Sequence, residues 1–205
     1  MGEVQVKAGE TQAQTREKQA NTSETRIEKQ SRQFETGQVL AYGMNGICTV
    51  DEIKSMKITQ DSKPELYYVL RLRRDDKSFV SVPVANEKLT AKIRQPMSRE
   101  MVQEMLKDAK TKKMVWDSDR RARSERFREI INGGVSTDLL RMIVCINDRK
   151  RKLYKEGKKL PVTDTNTLKS AVKLFEEEVA YVIGIGEEEV GSYVLETANI
   201  RYSLE

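Results

Sequence analysis

Histidine is absent from the 205 residues. With it go the usual general base near neutral pH, the commonest zinc ligand and every Ser-His or Cys-His nucleophile pair. Only two cysteines occur, Cys48 and Cys145, each inside an apolar stretch and at no metal-ligand spacing. They read as two buried free thiols and not as a disulfide framework. No apolar run approaches the ~18 residues that a membrane-crossing helix needs, and the N-terminus lacks the apolar core of a signal peptide. A cytoplasmic protein with no membrane partner is expected. No phosphate loop is present, and the glycine-bearing run at 184–191 fails the dinucleotide fingerprint in spacing and puts three carboxylates where phosphates would sit. These absences predict a non-enzyme with no cofactor and no metal.

Charge is what the chain has in abundance. Charged residues make up 34% and the mean hydropathy is −0.65. The net charge of +5 understates how basic most of the chain is, because residues 176–205 hold eight Glu and one basic residue, Arg201. A polyanionic partner for the body of the protein follows, nucleic acid ahead of membrane. Residues 1–33 carry almost no large apolar side chains and read as a disordered arm. Over 34–95, short β-type runs at 39–42, 47–53, 66–72 and 78–82 alternate with turns, which predicts a small antiparallel Tudor/SH3-like β-barrel.

From 96 to 183 the pattern is helical, predicting an α+β protein whose C-terminal half is an all-helical bundle. Ser98 caps a helix with Met101, Val102, Met105, Leu106 and Ala109 on its apolar face. Asp117 or Ser118 caps the next, which stops at Gly133-Gly134. Ser136 caps a third with Leu139, Leu140, Ile143, Val144 and Ile146 or Asn147 inward. The last follows Pro161 and Asp164 and carries the seam Leu168, Val172, Phe175, Val179, Val182. Glu176, Glu177 and Glu178 read as a solvated face, and 184–205 as an acidic tail with a weak helical segment.

The only tryptophan, Trp116, opens the run Trp116-Asp117-Ser118-Asp119-Arg120-Arg121-Ala122-Arg123. If the run is helical from Trp116, then Trp116, Arg120, Arg123, Phe127, Ile130 and Ile131 share one face. The last three make a core stripe, but arginines stand where the stripe would continue, so the N-terminal half of the face reads as exposed. Trp116 is then either a core residue beside a solvated charge run or an exposed aromatic that wedges into nucleic acid while arginines hold phosphates. A second basic block, Arg149, Lys150, Arg151 and Lys152, continues into Lys155, Lys158 and Lys159. This exceeds what helix-dipole capping requires and supports phosphate contact.

The opening Phe34-Glu35-Thr36-Gly37-Gln38-Val39-Leu40-Ala41-Tyr42-Gly43-Met44-Asn45-Gly46, then Val80-Ser81-Val82-Pro83, then a helical half entered by Trp116 with arginines, resembles the CarD family. The barrel alone is similar to the polymerase-interaction domain of the transcription-repair coupling factor, but no Walker A loop is present to supply a motor. Leu174-Phe175-Glu176-Glu177-Glu178-Val179-Ala180 is similar to the family's final helix. The resemblance implies a monomeric transcription regulator whose barrel packs edge-on against the β subunit of RNA polymerase. That contact would use Ile53, Lys54, Met56, Lys57 and Ile58 with Phe79 and Ser81. It also implies that the helical half meets the promoter minor groove at the upstream edge of the melted region and stabilises the open complex. Trp116 would be the wedge, with Arg120, Arg121 and Arg123 near phosphates. Gly43 and Asn45 stand where the family often has Pro and His, and Met56 and Ser81 where some members have arginines. The rival reading is a protein-interaction module that does not touch DNA.

Overall fold

In the computed structural model, which describes residues 33–57, 59 and 63–202, the β-type runs become one antiparallel sheet. Residues 1–32, and with them almost all of the expected N-terminal arm, lie outside the described residues. Strands β1 (Val39–Tyr42), β2 (Ile47–Met56), β3 (Glu65–Leu72), β4 (Asp75–Pro83) and β5 (Ile93–Arg94) are ordered β4-β3-β2-β1-β5 and curl into a half-barrel. Cross-strand partners Val50, Leu70 and Val80, and next to them Tyr68 and Val82, put one face inward. Of these, Val50, Leu70, Tyr68 and Val82 are at most 1% exposed. A bulge at Asp51 bends β2. A one-turn helix α1 (Glu87–Thr90), capped by Asn86, leads into β5.

The helical half comprises α2 (Arg99–Thr111), α3 (Arg120–Gly133), α4 (Ser136–Lys155), α5 (Val162–Ile183) and α6 (Val190–Ala198). Ser98 caps α2 as expected, accepting from the Met101 N–H. Gly134 and Gly184 end α3 and α5 in the left-handed conformation. The seams of α2, α4 and α5 meet in one core around Leu106, Ile143 and Phe175. Met101 leaves that core and is 51% exposed. Ser136, expected as the cap of α4, is instead its first residue; Val135 holds the cap position, and the hydroxyl turns into the protein.

Two expectations about acidic residues are corrected. Glu177 and Glu178 are not a solvated face: they are 1% and 3% exposed, where α5 meets the barrel. Glu178 accepts both guanidinium nitrogens of Arg94 (2.5 and 2.7 Å), the Met97 N–H (3.0 Å) and the Ser136 hydroxyl. Arg94 also donates to the Gly134 carbonyl at 2.7 Å, and Glu177 accepts from the Ile47 N–H at 3.2 Å. The bundle also approaches the barrel backbone so closely that a Cβ on Gly134 would lie 2.1 Å from the Gly43 carbonyl oxygen. Nor are all of residues 184–205 a tail. The turn Glu187–Glu189 is exposed, but α6 beyond it buries Val190, Val194 and Ala198 in the bundle core. Tyr202 stands edge-on to Phe175 at 5.4 Å, and its carbonyl accepts from Asn147. A stripe of four-residue spacing outweighs the acidic composition around it.

Burial of both thiols is as expected. Burial and the nearby Glu177 push Cys48 up to about 12, leaving it unreactive at neutral pH.

Glu178→Ala strips Arg94 and Ser136 of their acceptor and is expected to cost about 3 kcal/mol, read as a fall in the urea midpoint. Glu188→Ala on the exposed turn should shift stability by no more than ~0.5 kcal/mol.

A pH dependence follows from the same helix. Burial raises the Glu176 carboxyl from 4.5 to about 7, the Glu187 charge adding and the Tyr202 hydroxyl opposing. Burial moves Glu177 upward too. The folded state therefore holds protons that the unfolded chain has released. The stability they contribute is complete below the ordinary carboxylate range and is lost as pH rises through about 7. The melting temperature should fall between about pH 5 and pH 7, and Glu176→Gln should flatten that slope. A wild-type midpoint that rises over this window contradicts the assignment.

Candidate functional site

Asp117 and Asp119 decide where Trp116 sits. Asp119 caps α3 by accepting from the Ala122 N–H at 2.8 Å, and Asp117 accepts from the Asp119 N–H at 2.9 Å. These short side chains bond backbone that a helix would otherwise use, so α3 begins at Arg120 and Trp116 lies in the preceding loop. The expectation of a helix running from Trp116 is corrected accordingly, as is the choice of Asp117 or Ser118 as cap. The loop nonetheless returns Trp116 to the α3 face. Its indole stands edge-on to Phe127, with ring centroids 6.2 Å apart.

Arg123 holds the indole there. Its guanidinium carbon lies 4.3 Å from the Trp116 ring centroid. Nε and Nη2 donate to the two carboxylate oxygens of Asp164 at 3.3 and 3.1 Å, and Nη1 donates to the Asp117 carbonyl at 2.8 Å. Arg123 and Asp164 are 5% and 2% exposed. Arg123 is thus not on an exposed face: it is engaged on every nitrogen by protein, and it is a support for Trp116 and not a surface cation. Asp164 had no role at the sequence level beyond marking a helix start. The Arg149 guanidinium carbon also lies 5.8 Å from the ring centroid.

Trp116 is half-buried and forms one wall of a groove of about 480 Å³ whose rim carries Arg149, Lys158 and Lys159. Arg120 and Arg121 are exposed on the first turn of α3. The basic block of α4 divides between two faces. Arg149 and Leu153 turn toward Trp116, while Lys150 and Arg151 turn toward a second groove. Arg151 also faces Asp148 at 3.4 Å, and Lys152 is exposed. Of the expected nucleic-acid residues, the structure gathers Trp116, Arg123 and Arg149 into one cluster and leaves the others around it.

The barrel candidates do not form one edge. β4, carrying Phe79 and Ser81, is an edge of the sheet, and β2 lies on the far side of β3. From Asp51 onward β2 is paired with β3 alone among the described strands. Register places Lys54, Met56, Phe79 and Ser81 on one face, through their partners Tyr67, Glu65, Arg71 and Val69. Ile53 pairs with Tyr68 and belongs to the opposite, inward face. Phe79 is 50% exposed. Lys54 is paired with Glu52 on the same face. Lys57 is exposed just past the strand end, and Ile58 lies outside the described residues.

Among the described residues, no cluster of Cys, Asp and Glu is arranged to hold a metal ion, and no helix is long and apolar enough to cross a membrane. Residues 34–96 match the family model of the CarD-like/TRCF RID domain. The match covers the half-barrel and its exit, so that this part of the chain is similar to a CarD-like domain. No curated protein matches the chain.

Because Trp116 is the only tryptophan, its fluorescence reports this cluster alone. Asp164→Asn removes the charge that fixes Arg123 and is expected to red-shift the emission and raise acrylamide quenching. Arg121→Ala on the exposed turn should leave both unchanged. Equal spectra for the two variants contradict the clamp.

Proposed function

We infer that the chain, with a CarD-like domain at its barrel, is a bacterial transcription regulator that acts by binding and not by catalysis. The domain match supports an RNA polymerase-interacting, transcription-related protein. In the finer reading, the barrel contacts the polymerase β subunit, with the face of Lys54, Met56, Phe79 and Ser81 beside the open β4 edge offering strand addition. The helical half then reaches promoter DNA at the upstream edge of the bubble. The observation that carries this reading is Trp116, clamped by a buried ion pair at the rim of a cationic groove, on a bundle tied to the barrel through Glu178.

Inserting an aromatic side chain into a base step costs a few kcal/mol of unstacking. That cost is least where the duplex is already opening, so the contact favours the melted promoter over free duplex. The phosphate contacts fall to Arg149, Lys158 and Lys159 at the groove, with the exposed Arg120, Arg121 and Lys152 as further cations. Such contacts carry no sequence preference.

Trp116→Ala is expected to shorten the lifetime of the open complex about tenfold, corresponding to ~1.4 kcal/mol, with polymerase binding retained. An unchanged lifetime with polymerase still bound overturns the wedge. It would favour the rival reading, a protein-interaction module without DNA contact. Arg120→Ala should lower the salt slope of DNA binding by about 0.9.

A further inference from the structure

The second groove, about 940 Å³, runs between the end of α4, the loop at 156–161, the start of α5 and the segment at Arg201. Six cations line it and, among the described residues, no carboxylate does. Its walls are built by the fold. Asn147 donates to the Tyr202 carbonyl at 3.0 Å and Arg151 to the Arg201 carbonyl at 2.8 Å, pinning the C-terminal segment as one wall. The Lys158 N–H donates to the Leu153 carbonyl at 2.8 Å, pinning the loop as another. In this groove Tyr154 is 82% exposed. Lys158 is paired with Glu156 and Arg151 with Asp148, but Lys155 and Lys159 make no ion pair among the described residues.

We propose that this groove holds a short stretch of unpaired nucleic-acid strand, one base stacked on Tyr154 and its phosphates on Lys155, Lys159 and Arg201. A duplex presents phosphates to such a surface but no base face, and would leave the ring without a partner. A single strand uses both, since every base has a π face and aromatic stacking is indifferent to sequence. An acidic polypeptide would meet the charge but leave the ring unused. Position supports the same occupant. Lys158 and Lys159 line both this groove and the one beside Trp116. A strand parted from its complement at Trp116 therefore has a continuous cationic path across these two lysines to Tyr154. The inference rests on the reading that the helical half meets DNA where it melts, and it assigns one of the parted strands a site.

The test is fluorescence anisotropy of the full chain at low salt, with a labelled oligo-dT of about 12 nucleotides and a duplex of equal length. Wild-type protein should bind oligo-dT. Tyr154→Ala should weaken that binding about tenfold and leave duplex binding within about twofold, and Tyr154→Phe should restore it. Because Tyr154 is 82% exposed, its removal leaves the core untouched. The proposal is overturned if wild-type protein does not bind oligo-dT, if Tyr154→Ala weakens both DNAs equally or neither, or if poly-glutamate displaces oligo-dT at equal charge concentration. Those failures leave the effect of Trp116→Ala on open-complex lifetime standing. Loss of that effect with Tyr154-dependent oligo-dT binding intact overturns the wedge alone.

Discussion

A buried carboxylate at the joint of two half-domains, Glu178, is the interaction on which the rest of the molecule depends. It takes a bidentate pair from Arg94 at the end of the sheet, the N–H of Met97 on the way into α2, and the hydroxyl of Ser136 at the start of α4. Three chain segments are thereby fixed to one point on α5. Removing a charge from water costs several kcal/mol, recovered only when its lone pairs are satisfied with good geometry. Glu178 meets that condition through four hydrogen bonds. Glu177 meets it less well, with one oxygen on the Ile47 N–H and the other without a hydrogen-bond partner among the described residues. The joint is therefore directional, because tilting the barrel would strand a charge, and the glycine contact at Gly43 and Gly134 leaves no room for the tilt.

The elements were legible where their signal is local. Alternation over 39–83 and the seams of α2, α4 and α5 gave strands and helices close to those observed, because burial there is decided by neighbours one turn or one pleat away. The joint was not legible. Glu177 and Glu178 sit among charged residues on a helix surface, and their partners lie 130 and 84 positions away. Nothing in the local pattern separates a carboxylate buried against a distant backbone N–H from one in water. The same holds for Arg123, whose partner Asp164 is 41 positions away. It stands beside Arg120 and Arg121, both of which are exposed. The helical phase placed Arg123 on the side of Phe127, and Trp116 reaches that side from a loop and not from the helix, but the inference that arginines on that side must be exposed failed. A guanidinium paired with one carboxylate, capped by a carbonyl and covered by an indole is a satisfied core residue.

The surface proposed to meet polymerase shows a third way in which sequence adjacency misleads. Ile53, Lys54 and Met56 are near neighbours in the chain, but a strand sends successive side chains to opposite faces. Pairing through β3 unites Lys54 and Met56 with Phe79 and Ser81 and sends Ile53 inward. The surface thus consists of alternate residues from two strands separated by a third, a grouping that only the register defines.

The clamp on Trp116 and the joint at Glu178 address the same physical difficulty from two ends. A wedge gains little if its ring must first be ordered, since immobilising a flexible side chain at an interface costs about 0.5–1.5 kcal/mol. Arg123, Arg149 and Phe127 have already ordered it. The wedge also gains little if it must find DNA by free diffusion, because the unstacking cost leaves such a contact weak. Anchoring the barrel to polymerase converts the second contact into an intramolecular one, with an effective concentration set by the stiffness of the connection. A flexible linker would spread the ring over many positions. A connection made of Glu178, Arg94 and a glycine-to-glycine backbone contact holds it at one. On the proposed reading, the two buried ion pairs are what let a single half-buried indole act on DNA at a position chosen by where the barrel is bound.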